Sequence, residues 1–198
     1  MKKWERLYLE GKFKIDSFAP SKLVKGILKY QDKFDNVLDI RCGNGRNSVY
    51  LSKFSVKIDS IDKVDLDFLK QSPKSAKDKI RFYKKDIEKF NFEKKEYDLI
   101  LMIRIIQYIP KYKLKKIFHN LSKVLKKNGL IIISYTQSGG IFSQNLNIKK
   151  YKHSIEFLKK LFSENGLKTK MIRKGCENTT HVPYKCKVKT YELILIKK

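Results

Sequence analysis

At 198 residues and 41% hydrophobic content, this chain is long and apolar enough for one domain with a real core, which excludes a disordered tail. Its net charge of +26 suggests nucleic acid or an anionic surface. Yet only six arginines stand against 40 lysines spread through every segment, so a lysine-rich composition accounts for the charge equally well.

Residues 1–20 carry Trp4, Tyr8, Phe13 and Phe18 among charges and without clear period, as expected of a terminus docked on a core. Met1 to Arg6 lacks the apolar centre of a signal peptide, and no apolar run approaches the ~20 residues of a membrane span. Three cysteines, Cys42, Cys176 and Cys186, form no CxxC pair and suggest a reduced chain. Cytoplasm is the expected location. Pro20-Ser21 opens a helix with Leu23, Val24, Ile27 and Leu28 on one face.

Val37 to Leu51, reading VLDIRCGNGRNSVYL, organises the rest. A short buried strand meets a turn with Gly43 and Gly45, and a helix leaves from Arg46. That succession makes a nucleotide-type site, because glycine lets backbone approach a ligand closely. No Gly-Lys-Ser/Thr follows, so this is not a phosphate loop. Asp39 would repel a pyrophosphate but could receive a ligand's ammonium group.

Val56 to Ile61 alternates as a strand and ends at Asp62, about twenty residues past the turn's start, where a dinucleotide fold places a ribose-binding acid. Asp59, inside the strand, is the competing candidate. Leu66, Phe68 and Leu69 predict a short helix, and Pro73 lies in a loose segment. Ile80 to Lys84 is a third strand. Tyr97 to Ile103 reads as a central parallel strand covered on both faces. Lys111 to Lys127 predicts an amphipathic helix closed by Asn128-Gly129, followed by strand Leu130 to Tyr135. A polar loop over Thr136 to Lys150, with Gly139-Gly140, is long enough to be functional. A last helix carries Ile155, Leu158, Leu161 and Phe162, and Leu167 to Ile172 and Val188 to Ile196 form a terminal strand pair. The pattern predicts an open α/β sheet with an antiparallel edge.

The Val37 to Leu51 stretch resembles the first motif of class I S-adenosylmethionine (SAM) methyltransferases, and CGNGRNS with Tyr50 and Leu51 looks closer still to the tellurite-resistance type. The resemblance extends from Ser21 to Lys197. It implies an α/β, Rossmann-like, seven-stranded, mostly parallel sheet with an antiparallel terminal strand and helices on both faces. It also implies one SAM-dependent domain at 21–198, preceded by a 1–20 segment that could act as a lid.

The same resemblance implies roles for single residues. Asp39, Gly43 and Gly45, with Asn47, shape the methionine end of SAM. Asp62 takes the ribose with Lys63 beside it, Asp86 the adenine amino group with Ile87 on the ring, and Met102 and Ile103 line the sulfonium. His181 is a candidate near the acceptor. No metal set is expected.

Arg41 stands where the family has glycine: it could pair with the ligand's carboxylate, block the pocket or turn to solvent. The first case predicts weaker binding by Arg41→Gly. The second would make the chain a binding protein that has lost the reaction. The third predicts only a backbone cost of roughly 0.5–1 kcal/mol. Met102-Ile103-Arg104-Ile105 replaces the Asn/Asp-Pro-Pro-aromatic run of amino-methylating nucleic-acid enzymes. A small-molecule acceptor such as a thiol or chalcogen oxyanion is therefore expected, with RNA as the alternative.

Overall fold

The computed structural model describes residues 19–90, 92, 96–136, 149–178 and 187–198, with side chains at 176–178 and 187–188 left aside. The candidate His181, most of the 1–20 segment and most of the 136–150 loop lie outside that range.

Seven strands form one sheet in the order β3-β2-β1-β4-β5-β7-β6. They are β1 Phe34–Ile40, β2 Ser55–Asp62, β3 Ile80–Lys84, β4 Tyr97–Ile103, β5 Leu125–Thr136, β6 Leu167–Asn178 and β7 Lys187–Lys197. Pairing is parallel from β3 through to β5, and β7 runs antiparallel to both β5 and β6. The expected open sheet with its reversed strand near one edge is therefore present.

The helices are α1 Lys22–Gly26, α2 Arg46–Leu51, α3 Phe68–Gln71, α4 Lys74–Lys77, α5 Lys111–Val124 and α6 Ile155–Glu164. Alternate residues of the central strands feed two apolar layers. Leu38, Ile100, Met102 and Ile133 pack with Leu114, Ile117 and Phe118 of α5 and Leu158 and Phe162 of α6. Val37, Leu99, Leu101 and Ile132 pack on the other side with Val24, Ile27, Leu51 and Phe68.

Two boundaries differ from the sequence reading. Helix α5 stops at Val124, not Lys127, because Leu125 already pairs with Tyr97 and the β5 ladder begins there. Asn128, at φ +62°, lies inside the register shift between Leu125 and Leu130 rather than at a helix cap. The segment around Pro73 is also more regular than expected, since Pro73 starts the single turn of α4.

Candidate active site

The strand order reverses direction between β1 and β4, and such a switch point opens a crevice at the carboxyl ends of the strands. The turn Arg41–Gly45 stands at one wall. Three of its five residues, Arg41, Gly43 and Gly45, have left-handed φ values of 57°, 58° and 68°. A Cβ at Gly45 would meet the Phe68 ring at 2.0 Å, so glycine is required there by packing as well as by φ. Phe68 is held in turn by an edge contact with Phe82, 5.8 Å between centroids.

Hydrogen bonds fix the turn to β2. The Gly43 N–H donates to Asp62 Oδ2 at 2.9 Å, and the Val64 N–H donates to Asp62 Oδ1 at 3.1 Å. Each carboxylate oxygen keeps a second lone pair, so Asp62 retains capacity for hydroxyl donors. Asp59, the competing acid, accepts from the Tyr97 hydroxyl at 2.7 Å and belongs to the packing at the start of β4.

Asp39 is 1% exposed. Its Oδ2 accepts from Ser48 Oγ at 2.6 Å, and Ser48 Oγ accepts from Ser60 Oγ at 2.9 Å. Burial pushes its carboxyl up to about 6, against the Ser48 hydrogen bond and with Asp62 adding repulsion. A buried carboxylate beside a left-handed glycine cradle suits an ammonium-bearing ligand such as the methionine end of SAM. Cys42 lies in the same turn, and burial reinforced by Asp39 and Asp62 holds its thiol well above the usual range. It is a packing residue, not a nucleophile.

Along the other wall, Asp86 Oδ2 and Lys63 Nζ form a 2.5 Å ion pair, and Asp86 Oδ1 caps the turn at Glu88 N. Burial works to raise the Asp86 carboxyl, but Lys63, the Glu88 N–H and nearby Arg41 outweigh it and hold it below the usual carboxylate range. Asp86 is thus an anion ready for a donor such as an adenine amino group, though that donor meets Lys63 already in place. Ile87 is buried behind it.

Three expected ligand residues have other partners. Met102 is fully buried in the layer under α5, because alternation along β4 turns its side chain into the core; it offers no surface to the crevice. Ile103 is half-buried and packs toward the opposite layer. Asn47 Oδ1 accepts the Ser21 N–H at 3.0 Å, tying α1 to α2.

Further residues stand at the end of β4 and in the segment that follows it, 104–110, which resembles the family's fourth motif. Arg104 follows β4 with φ +60°. Its N–H donates to the Ser134 carbonyl at 2.8 Å, and its own carbonyl accepts from Gln107 Nε2 at 2.9 Å. Tyr108 lies in the next turn with Lys150 Nζ 5.9 Å from its ring centroid. Burial pushes the Tyr108 phenol up, against Gln107, Arg41 and Arg104. His153, 1% exposed, places Nε2 3.1 Å from the Ile106 carbonyl and 3.0 Å from that of Ile109. Together with the Tyr151 N–H bonded to the Gln107 carbonyl, it docks residues 151–153 against the segment after β4. Burial pushes the imidazole down.

Comparison with known proteins matches residues 37–129 to a family described as "Methyltransferase domain". No curated protein matches the chain. Among solved structures, TehB from Haemophilus influenzae aligns with a TM-score of 0.75 at 18% identity, covering 100% of this chain and 68% of that one. The N-methyltransferase NodS from Bradyrhizobium japonicum, in complex with S-adenosyl-L-homocysteine, aligns at 0.67 and 14%, covering 89% and 84%. Magnesium protoporphyrin IX methyltransferase (ChlM) from Synechocystis, also with S-adenosylhomocysteine bound, aligns at 0.67 and 15%, covering 99% and 93%.

Proposed function

We propose that this chain is a SAM-dependent methyltransferase, a reading supported by the methyltransferase-domain match over residues 37–129 and by the shared fold, and that it carries the methyl group to a small soft nucleophile, a thiol or a chalcogen oxyanion. When bound, SAM supplies a methyl group already activated on a sulfonium. What this chain must add is position: an in-line approach at close range, from which water is kept out. Asp39 holds the ammonium from below the turn, Asp62 accepts from ribose hydroxyls while bracing Gly43, and Asp86 accepts from the adenine amino group. The Arg41–Gly45 backbone forms the cradle.

The observation that carries the acceptor class is Met102-Ile103-Arg104-Ile105 at the end of β4, where base-amine methylation would call for an Asn/Asp-Pro-Pro-aromatic run. The CGNGRNS likeness to the tellurite-resistance type points the same way. The test is incubation with methyl-labelled SAM and candidate acceptors. Label in a small volatile product supports the reading.

One group of contacts favours RNA as the second reading. Lysines sit over tyrosine rings at Lys149–Tyr151 (5.3 Å), Lys150–Tyr108 (5.9 Å) and Lys113–Tyr112 (6.0 Å), and Tyr112 is 70% exposed. Such pairs suit stacked bases and a phosphate backbone. Label in RNA, with affinity falling at a slope near −0.7 per phosphate contacted, would replace the small acceptor by this one.

A further inference from the structure

Left-handed backbone is costly for residues other than glycine, and asparagine and aspartate tolerate it best. Among the described residues four non-glycines adopt it: Asp67, Asn128, Arg41 and Arg104. The first two are of the tolerant type. The other two are arginines, and each directly follows a strand that forms the switch point. Asp39 of β1 pairs with Leu101 of β4, so Arg41 and Arg104 leave adjacent parallel strands almost side by side.

The surrounding structure enforces these conformations. Arg104 is tied to β5 through Ser134 and to its own turn through Gln107. Arg41 is followed by the Cys42 N–H bonded to the Ile61 carbonyl at 3.2 Å. Strain held in place by several bonds is characteristic of functional positions. The two side chains share a neighbour, since both guanidinium groups act electrostatically on the Tyr108 phenol, with Lys150 Nζ over its ring. Arg41 and Arg104 thus leave neighbouring strands beside a half-buried tyrosine that also carries Lys150 Nζ 5.9 Å from its ring centroid. Arg41 also acts on the Asp86 carboxylate, which Lys63 already pairs.

We propose that Arg41 and Arg104, with Lys150 across Tyr108, form an anion subsite that holds a carboxylate or phosphate group on the acceptor, separate from its nucleophilic atom. This rests on the methyltransferase reading and narrows its acceptor class. Guanidinium forks match both oxyanions bidentately. An anionic acceptor also offsets the repulsion between these cations and the sulfonium brought by the cofactor, so the two ligands favour each other's binding.

The test is calorimetric titration of the full chain with inorganic phosphate and with acetate at constant ionic strength, with and without saturating S-adenosylhomocysteine. Arg41→Gln and Arg104→Gln remove charge while keeping a side chain with the same backbone preference. Each is expected to weaken anion binding about tenfold or more. Lys123→Ala, on the exposed face of α5, is expected to bind as the parent does. Preference for phosphate over acetate, or the reverse, then tells which group the acceptor carries.

Equal weakening by all three variants, or no saturable anion binding, would overturn the subsite in favour of diffuse surface charge. If Arg41→Gln weakens only S-adenosylhomocysteine, Arg41 serves the cofactor's carboxylate and the proposal fails for that residue. Absence of S-adenosylhomocysteine binding by the parent would instead refute the methyltransferase reading, with the anion titration standing by itself.

Discussion

Lowering the pH should weaken cofactor binding through Asp39, and by a calculable amount. Its carboxyl, pushed up to about 6 by burial, is the group proposed to receive the cofactor's ammonium. If the cofactor's ammonium requires the ionised form, the apparent Kd scales as one plus the ratio of protonated to ionised carboxyl. That factor is about 1 at pH 7.5 and about 11 at pH 5, a loss of about 1.4 kcal/mol. Asp86 does not contribute in this window, because its carboxyl is held below the usual range.

The effect on folding has the opposite sign. A carboxyl raised in the folded state binds more protons there than in the unfolded chain, so its stabilising contribution is full below about pH 4 and is lost as pH rises through 6. The shift from 3.8 to about 6 amounts to about 3 kcal/mol. Weaker binding at pH 5 through this group therefore comes without a loss of stability from it. Calorimetry with S-adenosylhomocysteine at both pH values, in buffers of different ionisation enthalpy, should show proton release near pH 6. Asp39→Asn should bind more weakly at pH 7.5 and lose the pH dependence. A flat Kd between pH 7.5 and 5, or an unchanged slope in Asp39→Asn, would refute the reasoning.

Three further outcomes follow from the geometry. Arg41→Gly should stabilise the fold by about 0.5–1 kcal/mol, since relief of left-handed strain of about 1–2 kcal/mol exceeds the entropic cost of glycine; a lower thermal midpoint would contradict this. Gly45→Ala should lose at least about 2 kcal/mol in denaturant unfolding, because the new Cβ falls on the Phe68 ring at 2.0 Å and left-handed φ penalises it as well. Asp62→Ala removes the charged acceptor proposed for the ribose hydroxyls and should cost about 1.5–3 kcal/mol, a roughly 10- to 150-fold weaker Kd for S-adenosylhomocysteine, while the loss of the Gly43 and Val64 N–H acceptor lowers folding stability. An unchanged Kd would detach Asp62 from the cofactor.

The sequence by itself determined the seven strands, the longer helices and the order in which they alternate, though not the short turn of α4. Apolar runs such as Tyr97–Ile103 can only be buried on both faces, and the period of α5 admits one apolar side. It also located the turn at Gly43 and Gly45, because backbone that must adopt left-handed φ leaves a mark in residue type. Arg41 broke that rule, and so its sequence alone suggested a cost to glycine where the backbone instead predicts relief.

What only the tertiary structure decided depends on separations in space that no local pattern encodes. Ser60 and Ser48 stand behind Asp39 because β2 packs beside β1. Met102 left the ligand wall for the core because alternation along β4 turned it there. Asn47 went to α1 because Ser21 presents its N–H to it. Arg104 and Tyr108 lie in the stretch 104–110 that resembles the family's fourth motif, whereas Lys150 and His153 carry no motif. They come together because β1 and β4, far apart in sequence, are neighbours at the point where the sheet reverses its winding.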